Sequence, residues 1–354
     1  MRIVLVGRFQ PSERLTGPEK FAKRLFNELR STEHDVTFFD YFYRAGGLYQ
    51  RLFGSETVTE SVHRLGILPL LIRMMRERPD IVHIVTAERF IIPLLLLRFV
   101  LSGRVIATVH GDAVAETESG VNGGWKDRWL ERLMMRHCDR IVAVSGGQLT
   151  SLQRRYPGVS SRSTVISHGV DDRIKGVSGR RYTGGPLHVV MMKRPSFVHD
   201  TGHGIAAALR LSGATGIIVT RIGGELHEEE ALFRTVPPME AEALASFLKE
   251  QHVVVNGAMT ETFSIFTAEC MAAGVVPIVN PNIGISEYIQ DGVNGFVVPA
   301  GDADAYTSAI LRLHADRSLL ERLSRGAAEA AAAMDWPSAV RRYLSLYTGT
   351  DTVS

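Results

Sequence analysis

Two carboxylates, Glu261 and Glu269, stand eight residues apart in the stretch ETFSIFTAE, and the small, apolar run CMAAGVVPIV follows directly. If the chain is helical from Thr262 onward, both carboxylates project within about a quarter turn of each other. Glu261 then lies at the helix N-terminus, where backbone N–H groups favour an anion or a hydroxyl-rich ligand. Glu269 lies deeper, and because a buried carboxylate needs hydrogen-bond donors, the hydroxyls of a ribose would satisfy it. The spacing fits equally a capped amphipathic helix with one exposed Glu.

A histidine, His110, ends the apolar run VIATVHG. Its position at a strand end predicts either a catalytic acid or base, or a hydrogen-bonding residue in a tight turn. No other histidine stands at a metal-ligand spacing from it, and the chain contains no HExxH motif and no Cys/His cluster. We therefore expect no metal site.

The elements that must position these residues alternate between apolar strands and periodic helices. RIVLVG at 2–7 is a buried strand followed by a loop and the helix EKFAKRLFNELR, an arrangement that offers backbone N–H groups to a phosphate. Further strands are predicted at 35–41, 81–86, 105–111, 139–145 and 163–171, and a second series at 187–193, 216–221, near 236, 252–257, 275–280 and 295–299. This alternation predicts doubly wound parallel sheets, which bind ligands at the carboxyl ends of their strands.

The length of the chain predicts two domains, because 354 residues are too many for one ordinary core. The polar, Gly-rich stretch DRIKGVSGRRYTGG separates the two strand series and is typical of a linker. We predict a first Rossmann-like domain at 1–172, a linker at 173–185, a second Rossmann-like domain at 186–334 and a C-terminal helix at 335–354. Two such domains joined by a hinge place a ligand in the cleft between them.

The composition narrows the classes of partner. A formal net charge of +2 does not indicate a nucleic-acid-binding protein, and two cysteines without a signal-peptide pattern favour a reducing cytoplasm. Two apolar runs, at 65–75 and 90–101, are too short to span a bilayer and predict buried helices. Arginines punctuate these runs as they would on a peripheral membrane protein at the inner face of the membrane, and that alternative stays open. They are Arg73, Arg76, Arg78, Arg89, Arg98 and Arg104.

Four short motifs follow one another in the second half of the chain. They are ETFS at 261–264, ECMAAG at 269–274, GISE at 284–287 and DGVNGFVV at 291–298, and Pro277 lies between the second and the third. Together they resemble the donor-site signature of the retaining glycosyltransferases of family 4, which have the GT-B fold. Supporting matches are the Gly17 loop, TVHG at 108–111, DRIVAVS at 139–145, ISHGVD at 166–171 and DWPSAVRRY at 335–343. The last resembles the terminal helix of the family, which crosses back onto the first domain.

The resemblance implies a role for each matching residue. Glu261 is expected near the transferred sugar, His110 on the donor sugar from the acceptor side, and Arg194 on the pyrophosphate. The residues expected to bind the donor are Gly17, Arg194, Thr201, Phe263, Ser264, Glu269 and Glu287. Among them, Glu269 is expected to hold the ribose, Phe263 and Ser264 to lie beside the sugar and phosphates, and Glu287 to lie nearer the nucleotide. The first domain is expected to bind the acceptor and the second the donor.

The implied reaction is transfer of a hexosyl group, with retention, from a nucleoside-diphosphate sugar to a hydroxyl acceptor. The family is thought to use front-side attack, without a metal or another cofactor. The acceptor is expected to be a saccharide, a lipid-linked saccharide or a small molecule. A catalytically weakened nucleotide-sugar-binding partner protein and a GT-B nucleotide-sugar epimerase are the alternatives, since fold alone does not choose among them.

One position departs from the family pattern. The family has a Lys-Gly pair a few residues after the arginine, and the matching positions here are Thr201 and Gly202. A missing, uncompensated donor would cost roughly 2–4 kcal/mol of transition-state stabilisation. We therefore expect that another cation such as Arg221 fills in, or that activity is low or altered.

Overall fold

The computed structural model of the chain describes residues 1–9, 17–41, 47–87, 92–96, 103–111, 125–175, 182, 184–192, 201–223 and 233–350. The chain divides into two compact units. The first comprises Met1–Val114, Gly123–Ser167 and Trp336–Ser354, and the main part of the second is His168–Asp335. The division falls after Ser167 and not after the predicted residue 172, because the Val170 N–H donates to the Met334 carbonyl (2.9 Å) within the second unit.

Six of the eight strands described in the first unit overlap the predicted apolar runs, and the third and fourth do not. They are β1 (Arg2–Gly7), β2 (Asp35–Tyr41), β3 (Ser55–Thr59), β4 (Val62–Leu65), β5 (Ile81–Ile84), β6 (Arg104–Val109), β7 (Arg140–Ala143) and β8 (Ser163–Val165). Within the described ranges they form one sheet in the order β3-β4-β2-β1-β5-β6-β7-β8. Neighbouring strands pair in parallel except β3, which runs antiparallel to β4 at the edge.

The second unit has a parallel sheet of its own. Its strands are β9 (Leu187–Met192), β10 (Ile217–Ile222), β11 (Arg234–Val236), β12 (Val253–Val255), β13 (Val276–Val279) and β14 (Phe296–Val297). In the part of the chain that the structure describes, their order is β11-β10-β9-β12-β13-β14. The predicted fold class, two doubly wound α/β units, is confirmed.

Helices connect these strands. They are α1 (Gly17–Arg30), α2 (Leu48–Phe53), α3 (Ile67–Glu77), α4 (Ile92–Leu96), α5 (Trp125–His137), α6 (Gly146–Arg155), α7 (Gly202–Leu211), α8 (Ala241–Leu248), α9 (Ile265–Ala272), α10 (Ala303–Ala315), α11 (Arg317–Ala332) and α12 (Trp336–Thr348). Two short 3-10 helices, Pro157–Arg162 and Gly284–Tyr288, complete the described set.

The core of the first unit has two layers, one on each face of the sheet. One layer takes buried side chains from α3, α4, α5 and α6, and the other takes them from α1 and α12. Because both faces are covered, the parallel strands are continuous apolar runs, which is why the sequence revealed them. The C-terminal helix α12 belongs to this first unit.

A buried network of hydrogen bonds joins α12 to the sheet of the first unit. His83 on β5 is fully buried, with its Nδ1 2.6 Å from the Tyr347 hydroxyl and its Nε2 2.8 Å from the Thr108 hydroxyl. The Thr108 hydroxyl also lies 3.1 Å from that of Tyr343. Burial, with a smaller contribution from neighbouring His110, lowers the pKa of His83 to about 3. The ring is therefore neutral, with one nitrogen donating and the other accepting.

Two local expectations were wrong. The edge strand β3 and its neighbour β4 were not predicted, because SETVT is exposed and largely polar and both strands are short. The run at 65–75 was predicted as a buried helix, yet α3 buries only Leu70 and Met74 and exposes Leu68, Ile72 and Met75. Of the run at 90–101, the structure describes the helix α4.

Candidate functional site

The loop that follows β12 is organised by a buried amide, Asn256. Its Nδ2 donates to Glu261 Oε2 (2.8 Å) and lies 3.0 Å from Ser264 Oγ and 3.3 Å from Thr267 Oγ1. An amide nitrogen carries two hydrogens, so three acceptors share two donors here. This arrangement draws the Glu261 carboxylate and the start of α9 together at the carboxyl end of β12.

Ser264 takes a backbone conformation that is unfavourable for a residue with a Cβ. It is the N-cap of α9, with φ 94° and ψ 83° in the left-handed region, and its side chain makes no capping hydrogen bond. Such a conformation costs of order 1–3 kcal/mol and persists only where the surroundings impose it. The helix therefore begins at Ile265, and the prediction that it begins at Thr262 was wrong.

Contacts distant in sequence impose this loop conformation. The Glu261 N–H donates to the Asn282 carbonyl (3.2 Å), the Gly284 N–H to the Glu261 carbonyl (2.9 Å), and the Ile285 N–H to the Phe263 carbonyl (2.9 Å). The segment from Glu261 to Phe263 is thus hydrogen-bonded to Asn282, Gly284 and Ile285, which explains why it is not helical.

A second buried amide, that of Asn280, holds the loop that follows β12. Its Nδ2 donates to the Ala258 carbonyl (2.6 Å), and the Tyr306 hydroxyl donates to the Asn256 carbonyl (2.8 Å). Asn256 and Asn280 each follow a strand end, on the adjacent parallel strands β12 and β13. The two amides therefore hold the loops at one edge of the sheet.

The other predicted donor residues of this loop differ in exposure. Phe263 is buried and packs edge-on against His168 (centroids 5.2 Å apart) and Tyr288 (6.2 Å), so its side chain anchors the loop to the protein. Glu269 is also buried, on α9, and Glu287 is exposed in the 3-10 helix.

Thr201 lies at the N-cap of α7, where its hydroxyl and its N–H both donate to the Gly257 carbonyl (2.9 and 3.0 Å). Gly257 directly follows Asn256, so Thr201 joins this loop to the N-terminus of α7. Its side chain carries no charge, unlike the lysine of the family pattern.

Arg194 was predicted to bind the pyrophosphate, and Arg221 was predicted as a cation that replaces the missing lysine. Arg194 lies outside the described residues. Arg221 is buried near the carboxyl end of β10, with its guanidinium carbon 4.7 Å from the centroid of the Phe233 ring. Arg221 lies on β10, and β9 separates β10 in the sheet from β12, the strand that Asn256 follows.

Gly17 and His110 lie in the first unit, near the carboxyl ends of its strands. Gly17 is the first residue of α1, and Phe21, one turn later, stacks against the His110 ring with centroids 4.7 Å apart. Glu19 of the same turn is buried and pairs with Arg8 (3.0 Å), which directly follows β1. The N-terminal turn of α1 is thus held to Arg8 and packs beside His110.

The protonation state of His110 follows from its contacts. Its Nε2 lies 2.9 Å from the Val85 carbonyl oxygen, which can only accept, so Nε2 carries the hydrogen. Desolvation lowers the pKa of His110 to about 4, although this hydrogen bond opposes the shift. The ring is neutral near pH 7, and Nδ1 carries the lone pair. A ring in this state accepts hydrogen bonds at Nδ1.

Within the ranges that the structure describes, no three His, Cys, Asp or Glu side chains are grouped as metal ligands would be. The same ranges contain no helix that is both long enough and apolar enough to cross a membrane.

Comparison with known proteins places the chain in a family. Residues 15–173 match the family described as Glycosyltransferase Family 4, and residues 230–330 match the family described as Glycosyl transferases group 1. The fold is similar to that of sucrose-phosphate synthase from Thermosynechococcus elongatus, with a TM-score of 0.74 and 15% identity over 99% of each chain. It is also similar to that of HepE from Anabaena, solved with UDP, with a TM-score of 0.76 and 16% identity over 99% of this chain and 100% of that one.

The chain belongs to the family 4 glycosyltransferases of the GT-B fold.

Two curated relatives share this family. The D-inositol 3-phosphate glycosyltransferase of Nocardiopsis dassonvillei is 23% identical over 293 residues, 75% of this chain and 66% of that protein. The enzyme of the same name from Streptomyces bingchenggensis is 25% identical over 248 residues, 61% of this chain and 54% of that protein. The chain thus spans less than two thirds of the length of either relative.

Sequence reasoning missed several residues that hold loops in place within each of the two units. Asn256 and Asn280 each follow an apolar strand, and a polar residue at that position was a usable signal. The contacts of Thr201, Arg8 and Glu19 had no such signal, because they join segments that are distant in the chain.

Proposed function

We propose that the chain transfers a hexosyl group from a nucleoside-diphosphate sugar to a hydroxyl acceptor, with retention and without a metal. The observation that carries this proposal is the strained start of α9. The strain at Ser264 fixes where the first N–H groups of the helix point, and the same loop carries Glu261. Strain of this kind is characteristic of ligand clamps.

The start of α9 suits a diphosphate. The first intrahelical bond runs from the Ala268 N–H to the Ser264 carbonyl (3.1 Å), so the N–H groups of residues 265–267 have no partner within the helix. These donors and the positive end of the helix dipole favour phosphate oxygens. They would stabilise the negative charge that develops on the leaving diphosphate.

Two carboxylates are assigned to the rest of the donor. The Glu261 carboxylate is oriented by the Asn256 amide at 2.8 Å, and we assign it to the hydroxyls of the transferred sugar. Glu269 is buried one helical turn beyond the N-terminus, and we assign it to the hydroxyls of the ribose. Both assignments use carboxylates as acceptors.

The proposed chemistry balances without a covalent glycosyl-enzyme. The bond from the anomeric carbon to the phosphate oxygen breaks, and its electron pair goes to that oxygen. The acceptor oxygen bonds to the anomeric carbon on the same face, and its proton passes to the leaving phosphate. His110, neutral with a lone pair on Nδ1, would accept a hydrogen bond from a sugar hydroxyl and take no part in proton transfer.

The relatives support this class of donor. HepE of Anabaena has been solved with UDP and with UDP-glucose. The curated relatives act on D-inositol 3-phosphate by name, and their likeness supports a hydroxyl acceptor of the same general kind.

A second candidate is a nucleotide-sugar-binding protein with weakened catalysis. The observation that favours it is Thr201, whose hydroxyl donates to Gly257 and which supplies no positive charge. Such a protein would bind the donor with little turnover.

The experiment combines calorimetry and turnover. UDP, GDP, ADP, dTDP and CDP are titrated first, and the sugar derivatives of the nucleotide that binds are then assayed for transfer with and without EDTA. We expect Glu269→Gln to weaken nucleotide binding by about 10- to 100-fold, since hydrogen bonds to charged groups contribute about 1.5–3 kcal/mol. We expect Glu261→Gln to retain binding and to lower kcat by about 10²-fold or more. Glu321→Gln, exposed on α11, is the matched control.

Each result bears on one part of the proposal. Nucleotide binding without turnover in the wild type would favour the second candidate. An inverted product by NMR would refute retention, and loss of turnover in EDTA would refute metal independence. Failure of every nucleotide to bind would refute both candidates.

A further inference from the structure

The helices α2 and α3 of the first unit present apolar side chains to solvent. We call this surface the apolar face. Its residues are Leu48, Tyr49 and Phe53 on α2 and Leu68, Ile72 and Met75 on α3. They are between 43% and 75% exposed, which is unusual for so many large apolar residues on two neighbouring helices.

The spacing on α3 shows that this exposure is systematic. Leu68, Ile72 and Met75 follow the i, i+4, i+7 pattern of one helix face, while Leu70 and Met74 occupy the opposite, buried face. A surface helix of a globular protein normally carries polar residues on its outer face. An outer face this apolar therefore indicates a partner that covers it.

Close backbone contact joins α2 and α3 into one surface. The N–H of Gly66, the N-cap of α3, donates to the carbonyl of Gly54, the C-cap of α2 (2.7 Å). A Cβ at Gly66 would lie 2.8 Å from the carbonyl oxygen of Gln50, so only glycine permits this approach. On α2, the rings of Tyr49 and Phe53 stack with centroids 5.3 Å apart.

The charges on the two helices and their caps are almost all positive. They are Arg51, Arg73, Arg76 and Arg78, with Glu77 as the one acidic residue. Glu77 is neutralised by Arg73, 2.6 Å away. Among the described residues, no ion pair involves Arg51, Arg76 or Arg78, and all three are exposed. Arg104, which the sequence grouped with them, lies in β6 and donates to the Tyr347 carbonyl, so it is not part of this surface.

We propose that the apolar face docks on the surface of an anionic lipid bilayer. Large apolar residues enter the boundary between headgroups and acyl chains, and the flanking arginines contact the lipid phosphates. A second copy of this chain fits less well. A two-fold contact through this face would bring its arginines against the same arginines, with no unpaired acidic residue on these helices to oppose them.

This inference does not rest on the proposed function, because the predicted binding needs neither donor nor acceptor. Its test is sedimentation of the full chain with vesicles of equal parts phosphatidylcholine and phosphatidylglycerol, and with pure phosphatidylcholine vesicles. We expect binding to the anionic vesicles that weakens with salt.

Two sets of variants separate the apolar and electrostatic contributions. Leu68→Glu with Ile72→Glu removes apolar contact at exposed positions, and its matched control is Leu211→Glu, which is 87% exposed on α7. Arg51→Gln with Arg76→Gln removes charge, and its control is Arg322→Gln with Arg325→Gln on α11. We expect about a fivefold loss of affinity for each arginine removed from the face, and no loss for the controls. Unchanged thermal unfolding would show that every variant is folded.

A fluorescent label reports where the protein touches the vesicle. Both native cysteines, Cys138 and Cys270, are buried, so Ile72→Cys can be labelled selectively with an environment-sensitive dye. Increased fluorescence with anionic vesicles is expected at this site and not at Leu211→Cys. Equal binding of face and control variants would overturn the proposal. So would sedimentation of the chain alone as a dimer that Ile72→Glu dissociates, because the face would then be a contact between copies.

Discussion

The left-handed conformation of Ser264 predicts an inverted order of stability for two substitutions. At an ordinary helical or extended position, alanine stabilises a protein over glycine by about 0.5–1 kcal/mol, because glycine loses more backbone freedom on folding. At φ 94° the Cβ of alanine meets the backbone, which costs about 1–2 kcal/mol. Ser264→Gly should therefore be more stable than Ser264→Ala by about 1 kcal/mol.

The comparison isolates the backbone because both variants lose the same hydroxyl. That loss leaves Asn256 Nδ2 with two acceptors for its two hydrogens, Glu261 Oε2 at 2.8 Å and Thr267 Oγ1 at 3.3 Å. The amide stays satisfied, so neither variant carries an unpaired buried donor from this source.

The assay is thermal unfolding of both variants, followed by calorimetry. A difference of about 1 kcal/mol corresponds to about 2–4 °C for a unit of this size. The control pair is Ser318→Gly and Ser318→Ala, in the helical first turn of α11, where alanine should be the more stable. If alanine is also the more stable residue at position 264, the positive φ of Ser264 is wrong, and the argument for a strained ligand clamp fails with it.

Three further predictions concern the buried network and the donor loop. Tyr347→Phe should destabilise the first unit by about 1–3 kcal/mol in urea unfolding, because His83 Nδ1 loses its partner; an unchanged midpoint would contradict this. The folded-state pKa of His83, about 3, lies below its ordinary 6.5, so the unfolded chain binds more protons and the free energy of unfolding should fall as pH drops below 6.5. The loss should be about 1.4 kcal/mol per pH unit, with a similar contribution from His110 down to about pH 4, and a flat profile from about pH 6 to about pH 5 would refute it. Thr201→Lys should tighten nucleoside-diphosphate binding by about fivefold, as expected for one partly exposed ion pair, with Thr201→Gln as the uncharged control; equal affinities for the two variants would place the phosphates elsewhere.

The sequence was informative about the sheets because their strands are buried on both faces. Runs such as those of β1 and β2 are apolar throughout, and the structure begins and ends both where the sequence predicted. The edge strand β3 lacks that signal, because an edge strand is partly solvated and its residues need not be apolar. The inner strand β4 is largely buried, but VHRL is only four residues long and contains His63 and Arg64, so it is not a continuous apolar run. The sequence therefore revealed the strands that are apolar throughout, and not every strand.

The site was harder to predict because contacts between distant segments determine it. The sequence analysis considered a helix from Thr262 onward, but hydrogen bonds from Gly284 and Ile285 to the carbonyls of Glu261 and Phe263 hold these residues outside the helix. The helix starts three residues later, at Ile265, after the one strained residue of the loop. Local sequence contains no sign of these partners. With the helix starting at Ile265, Glu261 lies outside it and the two carboxylates no longer share one helix face, so their roles stay predictions.

The strained residue Ser264 precedes fixed N–H groups at the start of α9, and these can be compared with the family lysine that Thr201 replaces. A lysine supplies charge through a flexible side chain, whereas the first N–H groups of α9 are fixed by the fold and reinforced by the helix dipole. Fixed donors lose no side-chain entropy when the diphosphate binds, and they need no reorganisation as charge develops. The hydrogen bonds from Thr201 to Gly257 join α7 to the loop that starts at Asn256. Thr201 therefore contributes rigidity where a lysine would contribute charge, and in the proposed donor site we expect the loss of that charge to lower mainly the affinity for the donor.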